Sequence, residues 1–596
     1  MKKTVLIVAT CILAILVVLG VIGLVSSFRA YGDLKTAKNL LFSARDSLEK
    51  RDIGAAAAGF AKARDHIKKA DSRLKAQKIS VGFLKIVPYA GTQIRALERF
   101  VRIGAHLSRA GILLCEAARG VPGLDVASTQ QASIGTMVDT LTRLGNDLGP
   151  VEQELQSAQE ESRAMKTGWL TGSASRMKKE LDQKLDVTLE GLQKGRKLMA
   201  ALPSIMGAEG APPKNYMVLQ QDCYELRASG GLISTYGILE SSHDSLKLAE
   251  YERSDTLSVG LTPGDGIPPL PSLGGWLEAY GIADPYLHFY DAGWWPDFPE
   301  TTGVLSTIWS KNGKAPVDGF IAIDPIAIKY ALEQIGPIEI PEFGETVTAE
   351  NMAGLILHYL EVEYNVAFLK SLASHFFEKV TASNPDQWFS LGRAFARALA
   401  EKHMFLYFND PSVQQSFTEL DWSGEVKQPD GDYLMAVDSN VGGQEVLAYK
   451  PNMYVKPKMS VEVTRLKDST LRHHITYTLD NTLGPQEHPL EYKSYLRLYV
   501  PEGAVVEGAV AKAASGLTVS GSDSGKQVFG KFVDVPIGTV GTVTFDYVTP
   551  GYGSLLIQKQ PGQVDMDVKF VLLEDGSIKK EQEVKLVNEV RLDLNK

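Results

Sequence analysis

V-D-G-F-I-A-I-D-P-I-A-I-K-Y-A-L-E-Q-I-G-P-I-E-I, Val317–Ile340, is the stretch on which the fold assignment turns. Phe320–Ile323 is an apolar run of strand length, closed by Asp324-Pro325. Asp324 before a proline is a helix N-cap signal. Ile326–Ile335 then keeps helical spacing until Gly336-Pro337 stops it. Ile338-Glu-Ile340 alternates again as a strand. A strand, a helix and a strand in such close succession predict an α/β or α+β domain. Working outward, Tyr216–Gln220 and Gly231–Gly237 read as strands, with weaker strands at Ser245–Ala249 and Thr256–Val259. Helices dominate from Ala349 to about Tyr407. Gly260–Gly275 is rich in Gly and Pro without periodicity, and a loop of that length is usually functional or disordered.

Upstream, Leu34, Ala37, Leu41, Ala44 and Leu48 are spaced 3, 4, 3, 4. Ala56, Phe60, Ala63, Ile67, Ala70 and Leu74 repeat the pattern. Two such stripes predict a helical hairpin with a small-residue seam, and Asp52 between them is placed to cap the second helix. Val87–Gly91 interrupts the periodicity. Further helices are predicted at Thr92–Ala118, Ser133–Lys166 and Ala174–Leu202, so the region reads as an all-α stalk or bundle. Gly207–Lys214 is a linker by composition. Ahead of the bundle, Lys2 and Lys3 precede an uncharged apolar run, Val5–Val25, whose 21 residues match the roughly 20 of a membrane span. It predicts a transmembrane signal anchor with the bulk of the chain outside the cytoplasm; the alternative is a removed signal peptide.

From about Tyr433 the texture turns to period two. Val461 and Val463, then Leu471, His473, Ile475 and Tyr477, then Val564, Met566, Val568, Phe570 and Leu572 alternate with polar residues. Asp575-Gly576 adds a hairpin signal. An antiparallel β-sandwich is expected. The fold class is thus multidomain α+β: a transmembrane helix (1–29), a helical stalk or bundle (30–206), a central α/β domain (207–450) and a C-terminal sandwich (451–596).

The net charge of −9 argues against a nucleic-acid partner. Charge is uneven, since Arg29–Arg109 holds 18 Lys+Arg against 7 Asp+Glu, net +11. That excess suits either anionic headgroups or solvated helix faces. Cys115 and Cys223 fall in different predicted domains and are expected to be free. Nucleophile-elbow, Walker, dinucleotide and zinc spacings are all absent. His473 and His474 adjoin in a strand, so they face opposite ways.

Four clusters remain as candidates. In Glu225–Gly231, Arg227 lies beside Ser229, Gly230 and Gly231 between two strands, with Tyr236 just beyond. Backbone N–H groups and a guanidinium there suit a phosphate or carboxylate; equally, they make a tight turn with a surface arginine. In Tyr290–Pro299, Asp291 and Asp297 sit amid Trp294, Trp295 and Phe298, which suits a sugar platform, a metal–phosphate site or a packed turn. Asp324 lies just past a strand, where α/β ligand sites gather, and is also an ordinary N-cap. Arg253-Ser-Asp255 is a weaker arginine–aspartate pair.

E-L-R-A-S-G-G-L-I-S-T-Y (Glu225–Tyr236), D-A-G-W-W-P-D-F-P (Asp291–Pro299), V-D-G-F-I-A-I-D-P (Val317–Pro325) and D-S-N-V-G-G-Q (Asp438–Gln444) together resemble the bacterial domain of unknown function 4012 family. The resemblance implies a membrane-anchored envelope protein at the cytoplasmic membrane and carries no established reaction. The chain departs from the family pattern at Asp222 and Cys223, where asparagines are usual, at Tyr290, often arginine, and at Trp295, usually small and polar. Val317–Ile340 is also similar to part of the LytR-CpsA-Psr fold, whose members transfer glycopolymers from polyprenyl pyrophosphate.

Two functions follow, the first from the anchor, the modular layout and the missing catalytic set, the second from the LytR-CpsA-Psr resemblance. One is an envelope protein binding or organising a cell-surface polysaccharide, a lipid-linked glycan or envelope protein partners. The other is a Mg-dependent glycopolymer phosphotransferase. In that second reading Arg227 and Arg253 hold the pyrophosphate, and Asp291, Asp297 and Asp324 hold Mg²⁺.

Overall fold

A computed structural model describes the chain except residues 1, 77, 123, 125–132, 167, 169, 208, 263–264, 266–285, 360–365, 443–449, 484–490, 507–516 and 596. Side chains at 2–24, 26, 78–79, 83, 88, 366 and 517–521 also lie outside the description. Most of the Gly260–Gly275 loop and Gly443-Gln444 fall outside it too. The chain forms two compact units, one of Met1–Ala208 with Asn384–Asp386, the other of Glu209–Ser383 with Gln387–Lys596.

The first unit is helical: α1 (Lys2–Glu49), α2 (Ile53–Ala76), α3 (Lys78–Leu84), α4 (Pro88–Ala118), α5 (Ile134–Asp147), α6 (Gly149–Arg163) and α7 (Gly172–Met206). Ala30, Ala37 and Ala44 of α1 and Ala56, Ala63 and Ala70 of α2 are almost wholly buried, so the predicted seam is the hairpin contact. Asp52 accepts from the Ala55 N–H at 2.8 Å as its cap. The expected single helix Ser133–Lys166 is two, broken at Leu148-Gly149-Pro150, because proline cannot continue the first helix but suits the start of the second. Part of the basic excess is neutralised across helices: Arg99 and Arg102 pair with Glu161 at 2.7 and 2.8 Å, and His106 and Arg109 meet Glu154 at 2.7 and 3.0 Å.

Among the described residues no helix is long and apolar enough to cross a membrane. The transmembrane signal anchor, the single-pass placement in a bacterial cytoplasmic membrane and the extracytoplasmic location of the bulk are therefore corrected. The apolar run is not a separate element. It opens α1, which continues unbroken through the polar half that builds the hairpin.

The second unit begins with a five-stranded sheet, ordered β3-β2-β1-β4-β7. Its strands are β1 (Lys214–Asp222), β2 (Leu232–Ser242), β3 (Ser245–Arg253), β4 (Gly319–Ile323) and β7 (Met404–Phe408), while β5 (Ile338–Ile340) and β6 (Glu345–Val347) pair as a separate two-stranded sheet. β1 and β4 are parallel, and the other pairs antiparallel. The strand expected at Thr256–Val259 is absent, and Ser254–Thr256 is a 3₁₀ turn. Alternation sorts the side chains. Met217, Leu219, Phe320 and Ala322 enter one core with Trp294, Trp295 and Phe298 and with α8 (Phe298–Lys311). Val218, Gln220, Ile321 and Ile323 point to the other face. That face is covered by α9 (Pro325–Ile335), α10 (Met352–Leu357), α11 (Val366–Thr381) and α12 (Pro385–Ala400).

A sandwich of two six-stranded sheets follows, built with β10 (Leu471–Asp480), β11 (Tyr492–Pro501), β12 (Val505–Val506), β13 (Leu517–Asp523), β14 (Lys526–Val535), β15 (Val540–Thr549), β18 (Ser577–Leu586) and β19 (Val590–Asp593). The strand orders are β12-β15-β10-β9-β17-β18 and β13-β14-β11-β8-β16-β19. It recruits β8 (Asp432–Asn440) from ahead of Lys450. The sandwich is mixed, not antiparallel as expected: β16 (Ser554–Ile557) runs parallel to β8, and β17 (Met566–Glu574) parallel to β9 (Lys456–Arg465). Strands so far apart in sequence meet by long crossovers, which local alternation does not encode.

Candidate functional site

The sequence motifs build a joint between the sheet domain and the sandwich. The β1–β2 loop carries Glu225–Gly231. Its Leu226 carbonyl accepts from Asn440 N at 2.9 Å, and its Leu226 N–H donates to Asn452 Oδ1 at 3.1 Å. Arg227 donates through Nη1 to the Asn440 carbonyl at 2.6 Å and through Nε to Asp291 Oδ1 at 3.3 Å. Ser229 is buried; its N–H donates to the Gly293 carbonyl at 3.1 Å and its hydroxyl accepts from Gln221 at 3.1 Å. Gly230 and Gly231 hold φ of 131° and 157°. A Cβ on Gly231 would lie 2.2 Å from the Asp222 carbonyl oxygen, so this turn requires glycine. A buried Asp222–Lys450 ion pair locks the loop from below. Burial and the neighbouring Asp222 carboxylate help push the Glu225 carboxyl upward, burial being the larger effect.

The remaining predicted residues are scattered. Tyr236 is core, its ring edge-on to Trp309 at 5.3 Å and its hydroxyl 3.1 Å from Glu250. Trp294 stacks on Tyr495 at 6.0 Å, and the fully buried Arg497 lies 4.8 Å from its ring. Arg253 forks onto its neighbour Asp255 on the surface. Asp297 caps α8, accepting from Glu300 N at 3.1 Å, and its other oxygen accepts from Val426 N at 2.9 Å. Asp324 caps α9 through Ile326 N and Ala327 N at 2.9 and 3.0 Å, while its second oxygen meets His403 Nδ1 at 2.6 Å. Asp291, Asp297 and Asp324 each serve a different local structure. Among the described residues, no three His, Cys, Asp or Glu side chains gather as a metal site. Cys115 and Cys223 are free and buried.

What the sequence reading missed is a cavity. Between the sheet and α9–α12 lies an apolar space of about 270 Å³. Leu239, Leu248, Ile321, Ile356, Leu372 and Phe376 are among the side chains lining it. Polar groups are few: Gln220, Tyr251 and Asp324. Thr235, Tyr251 and the Gln220 side-chain oxygen Oε1 close a hydrogen-bonded triangle at its sheet wall, with Thr235 Oγ1 3.0 Å from Gln220 Oε1 and 2.9 Å from the Tyr251 hydroxyl. Burial holds the Tyr251 hydroxyl protonated, well above its usual range. Engineered apolar cavities of about 150 Å³ already stay dry and take up small apolar molecules, and ligand pockets begin near 300 Å³. The one sequence signal was Gln220, a polar residue on the covered face of a buried strand.

Fold and site together define a two-unit α+β protein with a lipophilic cavity in its central domain. Residues 212–360, which supply the sheet strands β1–β4 and much of that cavity's wall, match the family described as protein of unknown function (DUF4012). No curated protein and no solved structure matches the chain.

Proposed function

We propose that the protein is a binding protein whose central domain takes up the hydrocarbon part of an amphiphilic glycoconjugate. The observation that carries this reading is the 270 Å³ cavity between the sheet and α9–α12, apolar except for Gln220, Tyr251 and Asp324. Each methylene buried there contributes about 0.8 kcal/mol, so a short alkyl chain suffices for measurable affinity. A cell-surface polysaccharide enters the reading as the polar part of a lipid-linked glycan, and envelope partner proteins as recipients of it. Transfer chemistry draws less support. The aspartates expected to share a magnesium ion spend their oxygens on helix caps and on Arg227.

Octyl glucoside, titrated calorimetrically below its micelle concentration, tests this. The full chain should bind it and should not bind glucose. Leu372→Trp, which fills the cavity, should abolish the heat. Glucose binding alone, or octyl glucoside binding untouched by Leu372→Trp, would overturn the reading.

A further inference from the structure

The helical unit holds a second and larger cavity, about 370 Å³, within the range of ligand pockets. It lies between three separate hydrophobic clusters. Residues of α1, α2 and α4 form one side, including Ala37, Ile67 and Phe60. Residues of α4, α6 and α7 form the other, including Phe100, Leu155 and Leu185. Gly104 and Gly111 of α4 both line it and, two turns apart, share one face. At these two positions the glycines let α2 side chains approach the helix, Ile67 lying 3.0 Å from where a Cβ on Gly104 would sit. A Cβ on Gly111 would lie 2.4 Å from the Phe60 ring, so α2 rests on the bare backbone of α4. Well-packed domains keep few voids larger than a water molecule, so space of this size in a small helical unit calls for an occupant.

The charged residues that line the cavity are mostly cations. Its lining includes four charged residues: Lys38, Arg45 and Lys184 are cations, and Glu180 is the sole acid. All four are exposed, as expected of a mouth. The three cations converge on one ring. Lys38 Nζ, Arg45 Cζ and Lys184 Nζ lie 5.5, 5.6 and 5.3 Å from the centroid of Phe42. Lys184 pairs with Glu180 at 2.7 Å, and Arg45 pairs with Asp46 and Glu49 at 2.9 and 3.3 Å. Lys38 makes no ion pair among the described residues. An apolar interior with a cationic mouth is complementary to one chemical class, a hydrocarbon chain ending in an anion.

We propose that this cavity binds a long-chain fatty acid, with the chain among α1, α2, α4, α6 and α7 and the carboxylate between Lys38, Arg45 and Lys184. The site is independent of the central-domain cavity and goes beyond the function proposed above.

The test uses the full chain carrying Leu372→Trp, so that only this site is read. Palmitate is titrated against hexadecanol, the same chain without the charge. Palmitate should bind about tenfold more tightly, the equivalent of roughly 1.4 kcal/mol from the cationic mouth. Lys38→Glu with Lys184→Glu, both exposed, should erase that advantage and leave hexadecanol unchanged. Leu107→Trp should weaken both ligands, with circular dichroism confirming the helical content. Equal binding of the two ligands, palmitate affinity indifferent to the charge reversal, or palmitate binding unaffected by Leu107→Trp would each overturn the proposal. So would a chain that ignores palmitate and self-associates, with Leu107→Trp restoring the monomer; in that case a second copy covers the cavity. Loss of octyl glucoside binding at the central domain has no bearing on these outcomes.

Discussion

Removing one charge from the Asp222–Lys450 pair should unlatch the joint between the sheet domain and the sandwich. Both side chains are only 8% exposed, so removing either charge deprives the other of its ion-pair partner in a site shielded from water. Breaking a buried pair from one side costs about 3–5 kcal/mol, whereas replacing both partners with neutral groups of similar shape costs little. Asp222→Asn is the appropriate first change. It removes the charge but keeps an oxygen for the Tyr224 N–H, which Asp222 Oδ1 accepts at 3.0 Å. Lys450→Met keeps the stem and removes the ammonium. Each single variant should lower stability by about 3 kcal/mol or more, and the double variant should recover most of that loss. Urea unfolding followed by tryptophan fluorescence reads the right unit, because six of the seven tryptophans follow residue 208. Single-variant losses under about 1 kcal/mol, or a double variant at the sum of the singles, would refute the assignment of this pair as the latch.

Two further predictions concern neighbouring groups. Burial raises the Asp438 carboxyl from 3.8 to about 6, against hydrogen bonds from Ser494 and from Tyr492 at 2.8 Å that lower it. The folded state therefore holds a proton that the unfolded state releases first. That stabilisation is complete below the unfolded pKa and is lost as pH rises through about 6. Relative to Asp438→Asn, the native chain should lose up to about 3 kcal/mol between about pH 4 and 7, read as urea midpoints at each pH; parallel profiles would contradict this. Asp324→Ala should cost about 2–4 kcal/mol, from the lost α9 cap and the stranded His403, and Asp324→Asn should restore most of it. If Asp324→Ala left stability intact and abolished octyl glucoside binding, Asp324 would be a ligand group and not a cap.

The helical stripes were legible because a core-facing helix must repeat its apolar residues at 3.6. Ala37, Ala44, Ala56 and Ala63 show this directly. The sheet strands were legible wherever one face is buried. The parallel pairings β8–β16 and β9–β17 were not, since pairing over such separations leaves no local trace. The candidate site was read as chemistry where the structure has architecture. Arg227, Gly231 and Asp297 look reactive in sequence because a joint needs the same backbone freedom and charged donors that an anion site needs. Both cavities were invisible for the opposite reason. Leu372, Ile356, Leu107 and Phe60 have the composition of ordinary core, and a void is a property of how helices splay. The apolar run Val5–Val25 was read as a span by its length and lack of charge alone, without regard to the unbroken helix it opens.

Trp388 lines the central-domain cavity, and its indole N–H donates to the Ser383 carbonyl at 2.7 Å. It is a built-in reporter for the claim that a hydrocarbon chain enters there. A bromine-labelled alkyl glycoside titrated into the full chain should quench a saturable fraction of tryptophan emission, and Trp388→Phe should remove that fraction. Quenching that survives Trp388→Phe, or no quenching at concentrations where calorimetry reports binding, would contradict the account.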